Sequence, residues 1–125
     1  MLTKLVLLAF AGGLGTLSRF GLAGLVYRLT GMGFPWGTLV VNVSGCFVAG
    51  LLFALFETRL PVAPQTRLVV LVGFFGAFTT LSTFVLETEE LLRASQWLYA
   101  GANVAMNNVL GLAALFAGVF LARIL

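Results

Sequence analysis

Arg67-Leu-Val-Val-Leu-Val-Gly73-Phe-Phe-Gly76-Ala-Phe-Thr79-Thr80-Leu81-Ser82-Thr83-Phe84-Val-Leu-Glu87 is the stretch on which the fold turns. No charge interrupts it between Arg67 and Glu87, and its length approaches the ~20 residues that an α-helix needs to cross ~30 Å of hydrocarbon. Yet its middle carries two glycines and four hydroxyl residues, types that weaken a helix through backbone entropy and β-branching. Two readings of this middle stand. The hydroxyls can bond back to their own helix's carbonyls and leave it continuous. Alternatively the helix breaks near residues 76–80 and exposes backbone groups at mid-membrane, where carbonyls bind cations and amides bind anions.

Three further apolar runs of similar length flank this one, so the spans are about 4–28, 36–57, 67–92 and 97–123. The connections Thr30-Gly-Met-Gly-Phe-Pro35, Glu57-Thr-Arg-Leu-Pro-Val-Ala-Pro64 and Arg93-Ala-Ser-Gln96 combine breakers or charges and are too short for a domain. The fold class is therefore all-α and integral to the membrane, one four-helix bundle over residues 1–125. Composition agrees: 61% of the 125 residues are hydrophobic and 9% charged, against about 25% charged in soluble domains. Lys4 ahead of an apolar run resembles a signal peptide, but that run continues past Gly15 to Leu29, beyond the usual h-region of about 7–15 residues.

Composition also excludes. The net charge of +3 is spread along the chain and offers no basic patch for nucleic acid. Cys46 is the single cysteine and reads as a small buried hydrophobe. With no histidine, no paired deep carboxylates and no nucleophile beside a base, the usual acid-base, metal and acyl-transfer sites are missing. The chain reads as a non-enzyme. Lys4, Arg59, Arg67 and Arg123 lie on the side of the termini and Arg28 and Arg93 on the other. That is a weak positive-inside bias, compatible with one orientation or with both.

Polar residues inside the spans need protein partners or a watery cavity. Gly12, Gly15 and Arg19 share a face of the first helix, a close-packing surface ending in either a snorkelling anchor or an anion-attracting charge. Thr38, Asn42, Gly45 and Ala49 form a stripe on the second. Asn42, with two N–H donors and an acceptor, is either interhelical glue or a pore group. On the third, Thr79 with Thr83 and Thr80 with Phe84 define faces that Glu87 continues, while Glu89 and Glu90 belong to the solvated helix end. Asn103, Asn107, Gly111, Ala114 and Gly118 recur along the fourth, with Asn108 off the stripe. Donors without carboxylate partners and one deep positive charge favour an anion as guest.

These blocks resemble the small fluoride channels of the Fluc or CrcB family. Gly12-Gly13-Leu-Gly15-Thr-Leu-Ser-Arg19-Phe20 is similar to the family's first helix, Gly37-Thr38-Leu-Val-Val41-Asn42-Val-Ser-Gly45 to its second, and Gly73 to Glu87 to its broken third. The resemblance covers nearly the whole chain and is weakest in the fourth helix. It implies an antiparallel, dual-topology homodimer in a prokaryotic plasma or inner membrane. Such a dimer would carry two fluoride pores and a structural Na+ held by the backbone carbonyls of Gly76 and Thr79. It further implies that Asn42 lines the pore with Thr38, that Ser82 and Thr83 belong to a polar track, and that Arg19 stands toward the entrance. Two departures follow. Leu81 stands where the family usually has a phenylalanine, leaving Phe84 alone to offer a weakly positive ring edge, so conductance or selectivity is expected to differ. Asn103 and Asn107 stand where an aromatic or a hydroxyl is usual.

The inventory suits passive export. A selective path must replace the water of a small, strongly hydrated ion with donors, and an inside-negative potential drives anions outward by ~2.3 kcal/mol per 100 mV. Two other readings remain: a proton-coupled exporter of organic cations, which wants a deep carboxylate, and a non-transporting structural subunit.

Overall fold

A computed structural model describes residues 1–125, all helical apart from short connections. Helix α1 runs Leu2–Thr30 and stops at Gly31, whose φ of 80° lies in the left-handed region that glycine tolerates. Helix α2 runs Trp36–Thr58 behind Pro35, which cannot continue a helix from before. The third span covers Pro64–Arg93 in two arms. It starts earlier than residue 67 because Pro64, with no N–H to lose, suits the first helical turn. The first arm, α3, joins Pro64–Leu68, a wide π-helical stretch Val69–Phe75 and a last turn Gly76–Phe78. Thr79 and Thr80 are extended, and the second arm, α4, resumes over Leu81–Arg93. Helix α5 runs Trp97–Ile124. Four helical spans have the length and apolarity to cross a membrane, and the chain is a multi-pass membrane protein.

The π-helical stretch is the element that sequence reasoning missed. One extra residue per turn is typical of functional sites; here it presents Gly73 to Ala11 and the Phe74 carbonyl to Gly15 across the α1–α3 contact. Phe75 and Phe78 then pack with Val41 of α2 as the buried centre. In lipid there is no hydrophobic force between helices, so close approach through small residues supplies the packing. The α2–α5 pair shows this most fully: a Cβ on Gly50 would strike the Leu115 carbonyl, and one on Gly118 the Phe47 carbonyl.

Gly118→Ala is therefore expected to lower stability by about 1–3 kcal/mol through overpacking. Gly101→Ala, which meets nothing, serves as control and should leave the thermal midpoint in detergent unchanged or slightly raised. Equal midpoints for the two variants would contradict this account of the contact.

Candidate ion path

The site is built around the two extended residues. Asn42 reaches across from α2 and pairs with Thr80 twice: its Oδ1 accepts from the Thr80 N–H at 2.8 Å and its Nδ2 donates to the Thr80 carbonyl at 3.1 Å. The break also receives its own cap, since Thr80 Oγ1 accepts from the Thr83 N–H at 3.2 Å and donates to Thr83 Oγ1 at 3.1 Å, the pattern of an N-cap.

These bonds release carbonyls. The Thr80 N–H points to Asn42 rather than back to Gly76, and the Thr83 N–H points to Thr80 Oγ1 rather than back to Thr79. Gly76 and Thr79 thereby lose their regular helical partners, and Gly76 is exposed with open space beside it. The Ala77 carbonyl is taken by Arg19, whose Nε donates at 3.1 Å from α1. A cation at a helix C-terminus also meets the negative end of the helix dipole.

Two clefts flank the break and share Thr80. One, of about 300 Å³, includes Thr16, Arg19, Tyr27, Thr38, Thr80, Thr83 and Glu87 in its wall. The other, of about 210 Å³, is bounded by Asn42, Cys46, Thr79, Thr80, Leu81, Phe84, Asn107 and Asn108. A third, of about 250 Å³, shares Tyr27 and Glu87 with the first and lies against the 32–35 connection and Gln96. The first cleft thus shares wall residues with each of the other two.

Of the residues singled out from sequence, the structure gathers Asn42, Phe84, Leu81 and Asn107 at the middle cleft and Arg19, Thr38 and Thr83 at the neighbouring one. Asn103 is fully buried behind Asn107, which donates to its Oδ1 at 2.9 Å. Ser82 is exposed outside both clefts, with its Oγ 3.5 Å from Thr80 Oγ1. Phe84 is 9% exposed and Leu81 73%; one turn apart at the same cleft, Phe84 forms its covered wall and Leu81 its open rim, toward lipid or another subunit.

Glu87 is the functional group whose depth the pattern concealed. Thr38 Oγ1 donates to its Oε1 at 2.7 Å and Tyr27 Oη at 3.1 Å, while Oε2 is buried without a partner. Arg19 is therefore not the only deep charge. The signal lay in Glu87 following Thr80 and Thr83 by seven and four residues on one helical face.

The architecture has relatives. A family model described as CrcB-like protein, Camphor Resistance (CrcB), matches residues 6–119. The chain is 52% identical over 122 residues to a fluoride-specific ion channel FluC of Desulforapulum autotrophicum, covering 98% of each. It is 49% identical to one of Nitrosococcus oceani and 48% identical to one of Solidesulfovibrio magneticus, both end to end. With four apolar spans, an asparagine-clamped interruption in the third and likeness of this extent along nearly its whole length, the chain belongs to the CrcB-like family.

Proposed function

We propose that this chain is the subunit of a passive fluoride channel. The observation that carries the reading is the set of clefts that share Glu87, Tyr27 and Thr80 in their walls, lined by hydroxyls, carboxamides, one guanidinium and the carboxylates of Glu87 and Glu90, two of them flanking a helix break. Relatives of near half identity bear the name fluoride-specific ion channel FluC. A desolvated fluoride accepts hydrogen bonds from the hydroxyls and carboxamides in turn, while the narrow path turns away larger halides. Passive movement needs no coupling site. Glu87 is the one deep carboxylate that a proton-coupled cation exporter would want, but Arg19 lines the same cleft and opposes a cation there.

The path is one-sided in a single chain. Leu81 and Gly76 are exposed, and an apolar outer surface with only 21 of 125 residues buried leaves room for a second copy as well as for lipid. An antiparallel homodimer would cover the Leu81 face and bring two breaks together. The freed carbonyls of Gly76 and Thr79 fit a hard cation such as Na+, which takes oxygen ligands, and no cluster of acidic, histidine or cysteine side chains competes for that role. Bound there, Na+ would neutralise carbonyl dipoles at the break; two carbonyls from one chain leave the remaining ligands to its partner.

Liposomes loaded with fluoride or chloride test the function directly. With a permeant cation to balance charge, the purified protein should release fluoride rapidly and retain chloride, as read by ion-selective electrodes. Release of both anions, or of neither from an intact dimer, would sink the proposal.

A further inference from the structure

Both amide protons of Asn42 are already engaged: one goes to the Thr80 carbonyl and the other to Asn107 Oδ1 at 3.0 Å. The orientation of every carboxamide in the series is dictated by its neighbours. The Thr80 backbone N–H can only donate, so Asn42 must turn Oδ1 toward it and Nδ2 toward Asn107. Asn107 must answer with Oδ1, which turns its own Nδ2 onto Asn103 Oδ1. Asn103 then donates to Thr88 Oγ1 at 3.0 Å, and Thr88 to the Phe84 carbonyl at 2.8 Å. A one-way relay thus leaves the helix break through α2 and α5 and returns to α4.

Two links have both partners at the middle cleft, Asn42 with Thr80 and Asn42 with Asn107, and only the second joins two side chains. Thr80 is fixed by the backbone, and Asn103 is fully buried. Asn107 is half-buried, so its side chain can withdraw. An empty path in a low-dielectric interior cannot leave an N–H unsatisfied. Something must accept from Asn42 whenever no ion is there.

We propose that Asn107 Oδ1 is the internal stand-in for the permeating anion: it accepts the Asn42 N–H in the empty path and yields it when fluoride arrives. Asn107 is thus a positioning residue that acts through Asn42. The inference rests on the reading that fluoride passes the middle cleft. Its consequence is kinetic. The ion exchanges one hydrogen bond for another and does not fall into a deep well, which keeps binding weak enough for exit.

The experiment is fluoride efflux against fluoride concentration for the reconstituted wild type, Asn107→Leu and Asn107→Asp. Leucine offers no acceptor, so the half-saturating concentration should fall about fivefold, the worth of one hydrogen bond, while the maximal rate falls. Aspartate is a stronger, charged acceptor and should raise it. A purely structural role would lower the rate in both without opposite shifts. Half-saturation unchanged or raised in folded Asn107→Leu overturns the proposal. Should that variant fail to reconstitute, the wild type decides. Titration with sodium fluoride should move the Asn42 and Asn107 side-chain amide resonances together, with one midpoint, and movement of Asn42 alone overturns it. A wild type that carries no fluoride overturns the functional reading itself, and this inference with it.

Discussion

Asn42→Leu is expected to abolish fluoride flux and to lower stability, whereas Asn42→Asp should abolish the flux with a smaller loss of stability. The leucine variant leaves the Thr80 N–H and carbonyl without the two bonds they make at 2.8 and 3.1 Å. Each orphaned buried backbone group costs about 1–3 kcal/mol, so the break loses about 2–6 kcal/mol of support. The aspartate variant retains an oxygen for the Thr80 N–H but gives up both donors and places a carboxylate at the cleft. Two unit charges about 4 Å apart at an effective dielectric near 20 repel by about 4 kcal/mol, so occupancy by an anion falls by about a thousandfold. Flux assays paired with thermal denaturation separate the two effects. An Asn42→Asp protein that conducts near the wild-type rate would remove Asn42 from the ion path.

How much of this was visible in the chain follows from where the controlling contacts lie. The four spans were legible because uncharged apolar runs between charged or breaker-rich connections depend on local sequence and the bilayer alone. Weakness in the third helix was legible from Gly73, Gly76 and the hydroxyl run. Its placement at Thr79 and Thr80 was not, because Asn42, on a different helix 38 residues earlier, supplies the bonds that hold the backbone extended there. The π-helical stretch Val69–Phe75 left no periodic mark. Stripe spacing grouped Asn103 with Asn107, which the structure joins by a hydrogen bond; Asn108, off the stripe, donates to the Val104 carbonyl of its own helix yet also borders the middle cleft. The family resemblance placed Ser82 in a polar track; in the single chain, with α4 beginning at Leu81, Ser82 is exposed. Glu87 was legible as the continuation of the third helix's polar faces but not as a part-buried acceptor, because only tertiary contacts bring Tyr27 and Thr38 to it. Periodicity reports which residues share a face; it is silent on which faces meet.

Arg19→Leu is expected to reduce fluoride flux at low ionic strength by about tenfold and to lower stability by about 2 kcal/mol, with Arg19→Lys recovering more of the flux than of the stability. Two effects are combined in this side chain. Its Nε bond satisfies the Ala77 carbonyl at the end of α3, and a hydrogen bond from a charged donor is worth about 1.5–3 kcal/mol. The guanidinium also lines the cleft that leads to Thr80, where a fixed positive charge raises the local concentration of an anion. Lysine keeps the charge but lacks the planar fork that reaches a carbonyl from the side. The two contributions part under salt. Attraction exerted through solvent is screened over about 10 Å at 0.1 M, so the flux deficit of Arg19→Leu should shrink as an impermeant salt is raised, while the stability deficit, belonging to a part-buried contact, should persist. A flux deficit indifferent to salt would mean that Arg19 serves the path only by holding the end of α3 in place.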